Sequence, residues 1–317
     1  MIDRIKKFDL TNKSIFIAGH NGMVGKATLN ELKLKSNKIY TIDKKKLDLR
    51  DEYSVAKWFE KNQPQVVINA AAMVGGIHAN NIFPVDFLEN NLRIQNNIIK
   101  CSYNSGVEKL LFLGSSCIYP KECLQPIKEE YLLTGKLEPT NEWYAIAKLA
   151  GIKLCEAYQK QYDCNYISLI PTNLYGVNDN FHPLYSHVPA ALIRRFHEAK
   201  VNNLKSVSVW GTGSPRREFM HVSDLAKAIT FMLEYYSSEK PINIGTGLDV
   251  SIHDFAKLIS QVVGYKGQIV FDHSKPDGMQ LKRLDISKAT SIGWHPQIDL
   301  NHGLKNTYEW ALKNIFI

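Results

Sequence analysis

Short, wholly apolar runs alternate with longer amphipathic stretches through the first half of the chain. Runs without polar alternation suit strands buried on both faces, and strands separated by helices predict a parallel, doubly wound sheet. Residues 14–18, 38–42, 65–70, 165–170 and the run beginning at Lys109 read as strands, with 242–245 as one more strand of the same sheet. Helical spacing follows Gly25, runs to about Asn62 behind a capping Asp51, covers 84–105, and resumes at Asn141. The expected fold is therefore α/β, a Rossmann-type doubly wound parallel sheet.

Beyond Tyr175 the pattern changes. Residues 179–183 and 186–189 are loop-like and polar, Arg194 and Arg195 lie in a helical stretch, and 207–211 reads as a strand. Residues 216–222 follow a turn, and Ser223 with Asp224 is placed as the cap of a helix reaching about Tyr236. From Ser251 two helices and the loop Lys275-Pro276-Asp277-Gly278 complete the chain. This order predicts a cofactor domain of 1–175 plus about 218–246. A smaller, discontinuous C-terminal α/β substrate lobe is expected over about 176–217 plus 247–317.

A length of 317 residues suits two modest domains, and an apolar content of 44% suffices for a core. No apolar run approaches membrane-spanning length and the first residues lack a signal-peptide apolar region, so the expected location is the cytoplasm, away from any membrane. Five cysteines form neither a CxxC pair nor a metal-spaced cluster, so free thiols and no metal are expected. A net charge of +8 favours an anionic partner, but the basic residues are dispersed and no nucleic-acid motif occurs. Phosphorylated small molecules explain the charge more simply.

Chemistry concentrates in two places. The first is Gly19-His20-Asn21-Gly22-Met23-Val24-Gly25 between a strand and a helix. Glycines there permit a tight turn and close backbone approach, and the helix N-terminus faces a pyrophosphate. The strand that follows ends in Asp43-Lys44-Lys45-Lys46. An acid at this point accepts adenosine ribose hydroxyls and favours NAD, whereas the lysines suit the 2′-phosphate of NADP. Both readings stay open. Asp48 and Leu49 lie just beyond, and the small-residue loop opened by Ala70, Ala71 and Ala72 can lie against the nicotinamide half.

The second is the stretch 109–148. An apolar run ending in Gly114-Ser115-Ser116-Cys117 delivers hydroxyls and a thiol to the carboxyl end of a strand, where open α/β sheets bind ligands. Tyr144 and Lys148 are four apart on one helical face. A phenol of pKa about 10 is a poor acid or base at neutral pH, and a nearby ammonium lowers it toward the working range. Ser115 can hold a ketone oxygen while Tyr144 supplies the proton to the developing alkoxide.

The set GHNGMVG, AAMVGGI, GSSCIYP, YAIAK, PTNLYG, DNFHP, SHV, RRFHEA, VWGTG, REFMHV, NIGTG and KPDG resembles the GDP-L-fucose synthase family of extended short-chain dehydrogenases/reductases across nearly the whole chain. The resemblance implies NADPH as cofactor, with NADH as the alternative. It implies a GDP-linked 4-keto-sugar as substrate, Ser115, Tyr144 and Lys148 as reducing triad, and Cys117 with His187 as the pair that moves protons at C3 and C5. Pro171, Asn173 and Leu174, together with His187, would complete the cofactor site. Ser116, Val188, Leu192, Arg195, Val209, Trp210, Arg217 and Asp277 would hold the GDP-sugar, with Asn173 shared and with Arg194 and Arg216 facing solvent. The resemblance also implies a homodimer paired through helices 84–105 and 144–161.

Two positions depart from the family pattern. Met73 replaces the lysine of AAKVGGI, and the GTPRK segment reads Gly278-Met279-Gln280-Leu281-Lys282, so an arginine has become Leu281. Both changes remove cations near the sugar or phosphates. They leave ketone reduction intact and open an alternative, C4 reduction of a GDP-4-keto-heptose with little or no epimerisation.

Overall fold

The computed structural model describes residues 7–275 and 277–317, with the side chain of Ile77 also excluded. Pro276 of the 275–278 loop and the first six residues, which bear on the signal-peptide reading, fall outside the described residues.

The chain begins with β1 (Ile15–Ala18), α1 (Met23–Leu32), β2 (Ile39–Tyr40), α2 (Glu52–Asn62) and β3 (Val66–Asn69). Asp51 caps α2 as expected, its side chain accepting from Tyr53 N. A short α3 (Ile77–Ile82) precedes the long α4 (Pro84–Asn104), which starts on a proline at its first turn, where a missing N–H leaves no bond unmade. Next come β4 (Lys109–Leu113), α5 (Glu142–Tyr162) and β5 (Tyr166–Pro171). After β6 (Asn173–Tyr175) follow α6 (Val188–Val201), β7 (Ser206–Trp210), β8 (Arg216–Arg217), β9 (Phe219–His221) and α7 (Val222–Tyr235). The chain continues through β10 (Ile242–Ile244), β11 (Val250–Ser251), α8 (Ile252–Val263) and β12 (Gln268–Asp272). It ends with β13 (Leu281–Lys282), α9 (Ser287–Ser291) and α10 (Leu300–Asn314).

The central sheet has the order β10-β5-β4-β3-β1-β2, and every pairing in it is parallel. Successive residues of β1, β3 and β4 feed opposite faces. Ile15, Ile17, Val66, Ile68, Leu111 and Leu113 pack with Leu225, Ile229 and Met232 of α7. Phe16, Ala18, Val67, Leu110 and Phe112 pack with residues of α2, α4 and α5. That double burial is why these strands read as unbroken apolar runs. The strand order reverses between β1 and β3, so a crevice opens at the carboxyl ends of these strands. A third apolar cluster joins Phe181, Leu192, Phe196, Val207 and Val209 to Phe255, Ile259 and Tyr308.

Several expectations are corrected. The edge strand β2 spans two residues rather than five, because only β1 pairs with it. α7 is capped by the His221 ring, which accepts from Ser223 N. Asp224 instead accepts from Gln297 N and Ile298 N, fastening a distant segment. The last stretch holds three helices, and β12, whose residues are exposed or half-buried, pairs in parallel with β7. Among the described residues no helix is long and apolar enough to cross a membrane.

Gly151 sets how closely α5 lies on the sheet. A Cβ there would collide with the Phe112 ring of β4 and stand 2.9 Å from Gln95 Oε1 of α4. Gly151→Ala should therefore destabilise the fold by about 1–3 kcal/mol, read from urea midpoints, and lower activity because Lys148 lies within one turn.

Candidate active site

β4 runs out at Gly114, and Ser115 opens a single 3-10 turn (Ser116–Ile118) in which its Oγ accepts from Cys117 N at 3.3 Å. That turn leaves Ser115 and Cys117 half-buried and Ser116 buried. Behind it, the buried Tyr119 hydroxyl donates to Asn243 Oδ1 at 2.6 Å, and Asn243 Nδ2 donates to Ile127 O and Asp285 O. A satisfied buried network of this kind fixes the backbone that carries the reactive side chains.

Tyr144 lies in the first turn of α5 with its ring edge-on to Phe87. Lys148, one turn later, is 4% exposed. Its Nζ donates to Leu113 O at 2.8 Å, 5.0 Å from the Phe112 ring centroid and 5.9 Å from that of Tyr144. Burial pulls this ammonium down to about 8. The Tyr144 phenol is pushed up, chiefly by burial and further by Cys117, while the neighbouring Ser115 hydroxyl opposes the rise. Desolvation favours the uncharged phenol and is the largest influence on it. A phenol raised in this way keeps its proton at neutral pH and is the weaker acid for it, so donation depends on stabilising the phenolate that forms. Lys282 of β13 brings its Nζ to 4.0 Å from Cys117 Sγ.

His187 occupies the N-cap position of α6 and is solvent-exposed. Surrounding protein lowers its imidazole from the ordinary value, and its open face limits that effect because water still reaches the charged form. The segment before it rests on the glycine turn at 75–76, where Gly76 N donates to Tyr185 O at 3.3 Å and a Cβ on Gly76 would stand 3.1 Å from Ser186 O. Arg194, expected to face solvent, bonds Glu198 and donates to Phe181 O at 2.7 Å, tying the same loop to α6. The structure brings Ser115, Cys117, Tyr144 and Lys148 together. Among the described residues no hydrogen bond joins Cys117 to His187.

The glycine-rich turn fits a dinucleotide. A Cβ on Gly19 would sit 2.7 Å from the Ala71 backbone, and one on Gly25 would collide with Gly19 O. One on Gly22 would meet only Gly19 O at 3.5 Å, so that side is open. Gly22 caps α1 without a side-chain bond and the first turn, begun by Met23 and Val24, holds no acid, which leaves its N–H groups available to phosphate oxygens. Ala70, Ala71 and Ala72 leave β3 half-exposed along the crevice. Met73 is pinned by its backbone to Asn91. Asp48 is held down to about 2, mainly by its side-chain bond to Arg50, so its carboxylate is already engaged. Leu49 O accepts from Asn97.

On the far side, Trp210 is 58% exposed, with Arg195 and Lys275 each 5.6 Å from its ring centroid. Such a plate suits a flat base. Val188 is exposed, whereas Val209 and Leu192 are buried in the third cluster and offer a ligand mainly backbone. Arg217 is half-buried, donating to Arg216 O at 2.8 Å and lying 3.5 Å from Asp277 O. Arg216 is exposed, as expected, and pairs with Asp249, whose other oxygen takes Arg283 at 2.9 Å. Asp277 spends both oxygens on Thr212, at 2.7 and 2.8 Å, and so fastens its loop rather than presenting a free carboxylate. Pro171, Asn173 and Leu174 lie on β5 and β6, and Asn173 Nδ2 donates to Glu218 O at 2.8 Å.

Comparison with known proteins follows from this geometry. Residues 15–245 match the model of the NAD dependent epimerase/dehydratase family. The chain belongs to that family. It is an oxidoreductase of the extended short-chain dehydrogenase/reductase type. It is 55% identical to the putative GDP-L-fucose synthase 2 of Arabidopsis thaliana, covering 95% of this chain and 92% of that one. It is 49% identical to the GDP-L-fucose synthase of Escherichia coli K12, covering 96% and 98%. The solved GDP-mannoheptose C4 reductase of Campylobacter jejuni with NADP bound superposes with a TM-score of 0.86 at 37% identity, covering 95% and 98%.

Sequence reasoning missed two residues of consequence. Glu218 is fully buried and accepts from Thr246 N, Gly247 N and Leu284 N, clamping the turns beside Arg217 and Asn173. Asp179, in the loop before His187, is buried, and desolvation pushes its carboxyl up to about 7. The unfolded value is near 3.9, so the native state holds a proton that the unfolded chain releases. Its contribution to stability is full below about pH 4 and is lost as pH rises toward 7. Asp179→Asn should remove that loss, gaining roughly 3 kcal/mol on the wild type between pH 4 and 7 in urea titrations; parallel curves would contradict it.

Proposed function

We propose that the chain is an NADPH-dependent C4-ketoreductase of a GDP-4-keto-sugar, acting as a GDP-L-fucose synthase on GDP-4-keto-6-deoxy-mannose with epimerisation at C3 and C5. The observation that carries this reading is the Tyr144 phenol beside Ser115, with the buried Lys148 beneath, at the carboxyl end of β4. A bound dihydronicotinamide supplies hydrogen with its electron pair to the ketone carbon. Ser115 holds the ketone oxygen and Tyr144 passes it a proton, completing the alcohol. Lys148 stabilises the phenolate left behind and reaches the nicotinamide ribose.

The C4 ketone acidifies the C–H bonds at C3 and C5, so one group must remove a proton and another return one to the opposite face. Cys117 and His187 fill these roles on the resemblance to the family. Arg217 and Arg195 suit the diphosphate, and Trp210 the guanine. The division into a cofactor domain (1–175 plus about 218–246) and a sugar-nucleotide lobe is part of the proposal, and the third apolar cluster, built mostly from the lobe's residues, supports it. A cytoplasmic homodimer is part of the proposal. Exposed apolar residues on α4 and α5, among them Val85, Trp143, Ile146 and Tyr162, support pairing through those helices.

A second reading is C4 reduction of a GDP-4-keto-heptose with little or no epimerisation. The likeness to the Campylobacter jejuni reductase and the apolar Met73 and Leu281 favour it.

Tyr144→Phe should abolish NADPH oxidation driven by a GDP-4-keto-sugar, a loss of at least about 10²-fold, with the folded state intact by circular dichroism. Retained turnover would remove Tyr144 as the acid. Cys117→Ser should spare reduction of an already epimerised ketone while blocking the full reaction.

A further inference from the structure

His187 opens α6 at the N-cap position, but its side chain caps nothing, and among the described residues no hydrogen bond engages its ring. Where that ring stands is therefore set by the backbone entering the helix. The entering segment is exposed at residues 182–184 and half-buried at Tyr185 and Ser186.

Three stacked rings hold this segment. Tyr185 lies 4.6 Å from His182 and 6.1 Å from His78 between ring centroids, each pair 17° from parallel. Rings at such separations attract through offset faces. His182 belongs to the same loop and is itself fixed there. Its backbone N donates to Asn180 Oδ1 at 2.9 Å, and its Nδ1 accepts from Leu184 N at 3.1 Å. His78 comes from the first turn of α3, more than a hundred positions earlier. The entry to α3 is held by the buried Asn80, whose Nδ2 donates to Gly75 O at 3.0 Å and Gly76 O at 3.1 Å. Tyr185 thus meets the 75–78 segment twice, through its ring on His78 and through its carbonyl, which accepts from Gly76 N at 3.3 Å. Among the described residues no hydrogen bond engages the Tyr185 hydroxyl, so the ring is the part in use.

We propose that this stack positions His187, and that Tyr185 is the positioning residue through which it acts. The proposal rests on the reading of Cys117 and His187 as the pair that moves protons at C3 and C5. Stacking on His78 anchors the chain two residues before His187, and α6 anchors the other side, where Ala191 N donates to His187 O at 2.9 Å. Without the stack one of these anchors is weakened. A misplacement of about 1 Å in a reacting group can cost about 10²-fold in rate. Reduction takes its proton from Tyr144 on α5, outside this segment. Epimerisation therefore depends on the stack and ketone reduction does not.

The test compares the wild type with Tyr185→Ala, His78→Ala and Tyr185→Phe, each as the full chain. Entry of solvent deuterium at C3 and C5 of GDP-4-keto-6-deoxy-mannose reads epimerisation. Oxidation of saturating NADPH by the already epimerised ketone reads reduction. Tyr185→Ala and His78→Ala should each slow deuterium entry at least about tenfold while reduction stays within about threefold. Tyr185→Phe keeps the ring and should match the wild type in both. Unchanged deuterium entry in both alanine variants, or reduction falling in the same proportion, would overturn the proposal, as would an equal loss in Tyr185→Phe. A wild type that reduces the epimerised ketone but takes up no deuterium would overturn the epimerase reading and this proposal with it.

Discussion

The ammonium of Lys148 on the carbonyl of Leu113 is the contact on which the site depends. It joins the middle of α5 to the last residue of β4, and so fixes where Tyr144 stands relative to Ser115. Its cost is the burial of a charge with one strong acceptor and an aromatic face beside it, and that cost appears as the lowered ammonium. The helix can approach this closely because position 151 is glycine and because Gln95 of α4 donates to Ala147 O at 2.7 Å. The placement of Tyr144 and Lys148 is therefore set by packing between one strand and two helices.

Around that unit the chain uses its polar residues to fasten loops. Asn243 locks the segment behind Cys117, Glu218 clamps the turns beside Arg217 and Asn173, and Asp277 holds its loop to Thr212. Arg216 and Arg283 share Asp249. Arg217 and Arg195, with Trp210, are the groups to which the proposed function gives a nucleoside diphosphate. The +8 net charge is thus mostly dispersed, with a small part aimed at the cleft.

What was legible in the sequence was local or periodic. The strand, glycine turn and helix around Gly19 to Gly25 come in unbroken order, and the doubly buried strands show as apolar runs. Asp51 stands where a helix needs its cap, and Tyr144 with Lys148 has helical spacing. What was not legible depends on residues far apart in the chain. Lys282 meets Cys117 across 165 positions, and Glu218 meets Leu284 across 66. β12 was hidden because its partly exposed residues show no buried run, and the His221 cap because a histidine rarely serves that role. The burial of the Tyr144 phenol was hidden too, because spacing along a helix says nothing of desolvation.

The central claim is that this cleft reduces the C4 ketone of a GDP-sugar. It is tested most directly by supplying NADPH deuterated at the transferred position of the nicotinamide together with GDP-4-keto-6-deoxy-mannose, and locating the label by NMR. The account predicts one deuterium at C4 of the product sugar, in proportion to NADPH consumed. Consumption of neither compound, or a product without label at C4, would contradict it.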